Sequence, residues 1–99
     1  MDPEDAHYLT LWLLKIPGVS FLLKKIYNKE HELLGKEVFG LRFKNPVGLA
    51  AGMDKNATSY EQFGDMGFGF VEVGTITPLP QRGNQHPRLF RLTRNEAII

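Results

Sequence analysis

Apolar positions at helical spacing open the chain and predict a first helix that ends before Pro17-Gly18. These residues recur every three or four positions, at Ala6, Leu9, Leu13 and Ile16. Asp2 is a favoured N-cap residue, and Pro3 suits the first helical position. A second short helix is predicted to follow Ser20, with an apolar side formed by Phe21, Leu22, Leu23 and Ile26.

The two predicted helices are unusually apolar for their length, and the other side of the second one is basic at Lys24, Lys25 and Lys29. Most amphipathic helices pack on the rest of their own protein. An apolar face beside lysines is also typical of a helix that lies on a membrane surface or binds a lipophilic ligand. Both interpretations hold together if the helices enclose an apolar tunnel against the main domain.

The middle of the chain predicts a strand, a helix and a second strand. The apolar run 47–50 predicts a buried strand whose small residues allow another group to approach closely. A short helix is predicted over 58–66, with Gly67 just past its end. The run 70–73 predicts the second strand, which ends at Gly74-Thr75. This order with a short connection predicts parallel pairing and an α/β fold.

Further strand signals flank this unit. Residues 38–43 predict a small hairpin with Gly40 at its turn. A loop rich in Pro and Gly is predicted over 77–87, and 88–92 predicts another strand. The last residues, 95–99, are expected to begin an element that the chain does not finish.

Composition excludes several classes of function. The 99 residues carry a net charge of +1, so no basic field for nucleic acid is present. Cysteine is absent, which excludes disulfides and thiolate sites. The three histidines, His7, His31 and His86, are too far apart in sequence to show the spacing of metal ligands. The acidic start matches no targeting signal, and no apolar run reaches bilayer length, so a cytoplasmic location is expected.

The two predicted strand ends hold the candidate chemistry, because ligands of parallel α/β folds lie beyond the carboxyl ends of strands. Small residues before Lys55 leave the backbone bare for a flat ring, and Lys55 adds a positive charge. Thr75 offers a hydroxyl at the second end. A purely structural interpretation stays open: Gly52 serves a turn, Asp54 caps the next helix and Lys55 is solvated.

Four stretches together resemble the dihydroorotate dehydrogenase family. FKNPVGLAAGMDK at 43–55 resembles the first barrel strand, and MGFGFVEVGTITP at 66–78 resembles the second. QRGN followed by PRLFRL, within 81–92, resembles the stretch after it, and DPEDAH at 2–7 resembles the start of the quinone-linked, membrane-associated class. The resemblance covers nearly the whole chain in family order.

The resemblance implies an FMN-dependent enzyme that oxidises (S)-dihydroorotate to orotate in pyrimidine biosynthesis and passes the electrons to a quinone. It implies flavin contacts at Ala51, Gly52, Met53, Asp54, Lys55 and Thr75. Lys55 would also contact the substrate. His7 and Arg91 match positions near the quinone tunnel. A peripheral position on the inner membrane, on its cytoplasmic side, is expected if the source is bacterial.

The implied architecture is a small helical extension over 1–35 and the first part of a (β/α)₈ TIM barrel over 36–99. Such a barrel takes ~250 residues, so the chain is expected to be an N-terminal part that is inactive alone. The substrate loop, the serine base, the orotate-binding asparagines and the FMN phosphate loops are expected beyond Ile99, which leaves no catalytic residue in this chain. Two alternatives remain: a non-catalytic membrane-surface module, and a related FMN barrel with another substrate.

Overall fold

Three α-helices and six short strands follow one another along the chain, and the computed structural model describes all 99 residues. The first half contains α1 (Pro3–Leu14), α2 (Val19–Tyr27), β1 (Lys36–Val38), β2 (Leu41–Phe43) and β3 (Gly48–Leu49). The second half contains α3 (Tyr60–Asp65), β4 (Phe70–Val71), β5 (Arg91–Leu92) and β6 (Ala97–Ile98). Single 3₁₀ turns lie at Glu32–Leu34 and Thr93–Asn95.

The first helix forms where its capping signals predict it. The Asp2 carboxylate accepts a hydrogen bond from the Glu4 N–H at 2.8 Å, and Pro3 occupies the first turn. The second helix begins at Val19, with Gly18 as its N-cap at a φ of 91°. The predicted start after Ser20 was therefore wrong. The Ser20 hydroxyl instead donates to the Asp65 carboxylate at the end of α3.

Helices α1 and α2 together present many exposed apolar side chains. Exposed side chains include Leu9, Trp12, Leu13, Phe21, Leu22 and Ile26. No single helix is long and apolar enough to cross a membrane, and the two meet that criterion only as a pair bent by 92°.

Strands β1 and β2 form the predicted antiparallel hairpin, with Val38 opposite Leu41. Its two turn residues, Phe39 and Gly40, have φ values of 52° and 74°. A two-residue turn of this kind needs positive φ at both positions, which glycine adopts freely. Phe39 adopts it with a side chain that is 98% exposed.

Strands β3 and β4 pair in parallel, with Gly48 beside Phe70, and α3 connects them. This confirms the predicted βαβ unit, although the regular ladder is shorter than the predicted runs. Backbone bonds extend it at both ends, from the Gly69 N–H to Val47 O at 2.8 Å and from the Glu72 N–H to Leu49 O at 2.9 Å. A side chain at Gly48 would collide with the Phe70 ring, which explains the small residue there.

The end of the chain forms a second antiparallel hairpin. Arg91 of β5 lies opposite Ile98 of β6. Phe90 and Ile99 exchange two backbone hydrogen bonds, at 2.7 and 2.9 Å. The predicted strand at 88–92 is therefore reduced to its last residues, because the loop before it has no partner strand. The 95–99 segment was expected to begin an unfinished element and instead completes this hairpin.

Polar contacts fasten α2 to the βαβ unit. Lys44 Nζ donates to Asn28 Oδ1 at 2.9 Å and to Gly64 O at 3.3 Å. The Ser20–Asp65 hydrogen bond ties the start of α2 to the end of α3. Since these contacts lie at both ends of α2, they hold the helix along α3.

The chain buries little of its own surface. Leu14 and Phe63 are the only buried large apolar side chains. The accessible surface is 8365 Å², against about 5,700 Å² expected for a folded monomer of this mass. The radius of gyration is 15.8 Å, against about 12.6 Å for a compact domain of this length. Most apolar faces are therefore available for packing against further structure.

The small core makes Phe63 disproportionately important. We expect Phe63→Ala to lower the free energy of unfolding by about 3–5 kcal/mol, since it removes a buried ring and leaves a cavity. Phe39→Ala is the matched control and should change it by less than about 0.5 kcal/mol, because that ring is exposed. Urea denaturation of the protein that carries this chain measures both. Equal losses would contradict the packing described.

Candidate functional site

The two strand ends singled out in the sequence lie side by side. The Gly52 N–H donates to Gly74 O at 3.0 Å, and the Gly74 N–H donates to Asp54 O at 3.4 Å. These bonds continue the parallel pairing of β3 and β4 past their last ladder residues. The segment 50–55 and the segment beginning at Gly74 therefore form one edge, at the carboxyl end of both strands.

Glycine is required at both joined positions. Gly52 has a φ of 106° and Gly74 a φ of 111°, a region that side-chain-bearing residues rarely adopt. A Cβ on Gly74, which is buried, would lie 2.8 Å from the Ile76 nitrogen. A Cβ on Gly52 would meet nothing within 4 Å, so the space above that backbone is open.

The predicted cofactor residues sit on this edge with their backbone accessible. All but Asp54 are exposed, namely Ala51, Gly52, Met53, Lys55 and Thr75. The backbone N–H groups of Ala51, Met53, Lys55 and Thr75 donate to no other group in the chain. An edge with free donors, small side chains and one cation fits a flat ring with several acceptor atoms, such as a flavin.

Asp54 differs from its neighbours because its side chain points into the protein. It is 2% exposed. Oδ1 accepts from the Thr58 N–H at 2.9 Å, and Oδ2 accepts from the Ser59 N–H at 2.8 Å. The carboxylate thus holds the N–H groups of the two residues just before α3, whose N-cap residue is Ser59. Asp54 therefore fixes the turn that leads into the helix rather than capping the helix itself, and its side chain is not available to a ligand.

The two quinone-site candidates lie on neighbouring elements. His7 is half-buried on α1, with its ring edge-on to Tyr8 at 5.5 Å between centroids. Arg91, in β5, donates from Nη1 to Met1 O at 3.1 Å. Arg91 therefore contacts the residue that precedes the helix carrying His7.

A charged cluster that the sequence did not reveal joins the same elements. Arg88 Nη2 donates to Glu4 Oε1 at 2.6 Å, and His86 Nδ1 lies 3.0 Å from Glu4 Oε2. The Arg88 hydrogen bond and charge, assisted by His86 and Lys55, hold the pKa of Glu4 below its usual value against the effect of burial. No local pattern in the sequence links residues that are 84 positions apart.

One apolar groove lies outside this edge. Its volume is about 550 Å³, and it is lined by Lys44, Ala57, Tyr60, Gly64, Phe68, Gly69, Phe70, Val71 and Val73. None of the predicted cofactor residues lines it. The groove runs along α3 and β4.

Comparisons with known proteins agree across the chain. The profile of a family described as dihydroorotate dehydrogenase matches residues 33–99. "Dihydroorotate dehydrogenase (quinone)" of Christiangramia forsetii is 54% identical over 102 residues, which cover 99% of this chain and 30% of that protein. The protein of the same name from a Psychrobacter species is 52% identical over 99 residues, covering 100% of this chain and 28% of that protein.

Solved structures give the same result for the fold. A crystal structure of DHODH in complex with ferulenol, from Eimeria tenella, is 48% identical with a TM-score of 0.75. The match covers 99% of this chain and 25% of that one. The chain is thus similar to part of a TIM-barrel enzyme, and it spans less than a third of the length of these relatives.

Substitutions at the adjacent residues Asp54 and Lys55 should affect stability differently, because only Asp54 supports the fold. Asp54→Ala is expected to lower the free energy of unfolding by about 1–3 kcal/mol, because it leaves the N–H groups of Thr58 and Ser59, just before α3, without an acceptor. Lys55→Ala, at an exposed position, should change it by less than about 0.5 kcal/mol. Thermal denaturation of the protein that carries this chain gives both values, and a larger loss for Lys55→Ala would contradict this division.

Proposed function

Because the chain belongs to the dihydroorotate dehydrogenase family, we propose that it forms the N-terminal part of a quinone-dependent member. The reaction is the oxidation of (S)-dihydroorotate to orotate in pyrimidine biosynthesis, with a quinone as the electron acceptor. Residues 36–99 form the first strands and helix of a (β/α)₈ barrel, and residues 1–35 form a helical extension. The 99 residues are inactive on their own.

The observation that carries the proposal is the joined edge of β3 and β4. Its two glycines bring the backbone of 50–55 next to Thr75, and the N–H groups of Ala51, Met53, Lys55 and Thr75 are free. Active sites of TIM barrels lie at this end of the strands. The residues for which the family resemblance implies flavin contacts all belong to this edge.

The residues proposed to hold FMN are Ala51, Gly52, Met53, Asp54, Lys55 and Thr75, with Asp54 acting through its backbone. When bound, FMN supplies the redox chemistry, taking two electrons from dihydroorotate and delivering them to the quinone. Lys55 lies at the open end of the edge with no ion-pair partner. Its charge would favour the more negative, reduced cofactor and would hold the carboxylate of the substrate.

The helical extension is proposed to receive the quinone. His7 and Arg91 would offer polar contacts to the quinone oxygens, and the exposed apolar side chains of α1 and α2 would surround its ring and tail. A lipophilic electron acceptor has to reach the site from a membrane. We therefore place the protein in the cytoplasm, peripherally on the inner membrane if the source is bacterial, with the α1–α2 face against the lipid.

Substitution of Lys55 tests the reaction. The protein that carries this chain should purify yellow, lose its flavin colour when dihydroorotate is added without oxygen, and regain it with a soluble ubiquinone. Lys55→Ala should lower kcat/KM for dihydroorotate by about 10²–10³-fold. Arg94→Ala, at another exposed cation, should leave it unchanged, and the isolated 99-residue chain should be colourless.

The outcomes also separate the alternatives. A yellow protein that dihydroorotate does not bleach would support a related FMN barrel with a different substrate. A protein without flavin would leave only the membrane-surface module. A yellow isolated chain would contradict the claim that this part alone cannot hold the cofactor.

Liposome flotation tests the membrane contact. Phe21→Glu together with Leu22→Glu should abolish flotation with vesicles that contain anionic lipid, since both apolar side chains of α2 are exposed. Phe39→Glu changes an even more exposed ring on the β1–β2 hairpin and should leave flotation intact. Flotation that survives the double substitution would place the contact elsewhere.

A further inference from the structure

The Glu4–Arg88 ion pair joins two segments that are 84 residues apart in sequence. Arg88 Nη2 donates to Glu4 Oε1 at 2.6 Å, and Arg88 Nε lies 3.1 and 3.2 Å from the two carboxylate oxygens. The side chains are 12% exposed for Glu4 and 28% for Arg88. Two-point pairing of a guanidinium with a carboxylate sets direction as well as distance. The pair therefore orients α1 relative to the segment before β5.

Arg88 also organises its own loop. Its Nη1 donates to Arg82 O at 2.9 Å and to Asn84 O at 3.5 Å. Gly83 lies between them with a φ of 74°, and a Cβ there would be 2.6 Å from Nη1. The loop 82–88 is thus closed around the guanidinium, so a shift of Arg88 would move the whole loop.

The residues fastened by this pair include both quinone-site candidates. His7 follows Glu4 by three positions, so both lie on the same face of α1. Arg91 follows Arg88 by three positions and contacts Met1 O. The start of α1 is therefore held at two points of one segment, by Arg88 through Glu4 and by Arg91 through Met1 O.

Charge supports the same pair. The hydrogen bond and charge of Arg88, followed by the smaller effects of His86 and Lys55, hold the pKa of Glu4 below its usual value. The pKa of Arg88 is raised in turn, first by its hydrogen bond to Glu4. The carboxylate thus lies between α1 and the loop 82–88.

We propose that Glu4 and Arg88 are positioning residues for electron transfer to the quinone. Their ion pair holds α1 against the loop 82–88 and so keeps His7 and Arg91 in register with the cofactor edge. Neither residue touches the reacting atoms. This inference rests on the proposed function, because it assigns the role of the pair to that same quinone site.

Two substitutions distinguish the effect of the ion pair from the effect of negative charge at the start of α1. Glu4→Gln keeps the shape and removes the charge that Arg88 binds. Asp5→Asn is the matched control, because Asp5 is in the same first turn, is exposed and makes no ion pair. Arg88→Gln and the double variant Glu4→Gln/Arg88→Gln complete a cycle that measures whether the two side chains act together.

The first readout is kinetic. Glu4→Gln should raise KM for a soluble ubiquinone about tenfold, because the residues that meet the quinone lose their fixed placement. KM for dihydroorotate should change by less than about twofold in Glu4→Gln. In Asp5→Asn, KM for ubiquinone and KM for dihydroorotate should both change by less than about twofold. The double variant should resemble Arg88→Gln. Equal increases in KM for ubiquinone and KM for dihydroorotate would overturn the proposal. So would a double variant whose increase in KM for ubiquinone is the product of the increases in Glu4→Gln and Arg88→Gln.

The second readout does not depend on activity. Hydrogen–deuterium exchange of the flavin-loaded protein should become faster across 3–14 in Glu4→Gln, while exchange across 60–65 stays unchanged. Asp5→Asn should match the unsubstituted protein. Unchanged exchange in Glu4→Gln would overturn the anchoring role. If the unsubstituted protein oxidises dihydroorotate without using quinone, the proposed function fails, whereas exchange still decides whether the pair anchors α1.

Discussion

The backbone bond from the Gly52 N–H to Gly74 O is the contact on which the candidate site depends. It forms because both residues adopt a positive φ, which turns each strand end away from its ladder direction. Replacement of either glycine would strain this turn, and at Gly74 the added Cβ would also meet the Ile76 nitrogen. The bond brings together a bare backbone, a hydroxyl at Thr75 and a cation at Lys55, which come from two separate strands.

Local signals predicted much of the fold because they act within a few residues. The Asp2-Pro3 cap started α1, Gly40 formed the hairpin turn, and Gly67, at a φ of 100°, ended α3. The parallel pairing followed from the strand–helix–strand order, since a short crossover connects parallel strands. The edge formed by 50–55 and Thr75 could be predicted on the same basis, because parallel strands end at one side of a sheet.

The remainder depended on contacts between distant residues, which a one-dimensional pattern does not encode. Ser20 has the chemistry of an N-cap, and its hydroxyl is used on Asp65 instead, so α2 begins earlier than predicted. Asp54 could equally have faced a ligand or served the start of α3, and only the burial of its carboxylate separates the two. Glu4 and Arg88 are 84 positions apart, so no local pattern showed their pairing.

The helical extension is oriented by polar contacts, whereas its apolar side chains are left uncommitted. Lys44 and the Ser20–Asp65 bond hold α2, and the Glu4–Arg88 pair holds α1. If apolar packing within the chain had set the orientation, the aromatic and aliphatic side chains of both helices would be buried. Most of them are exposed, which costs free energy in water. This arrangement fits the binding surface proposed for a lipophilic acceptor, because a ligand that covers apolar faces already held by polar anchors completes the packing without rearranging the helices.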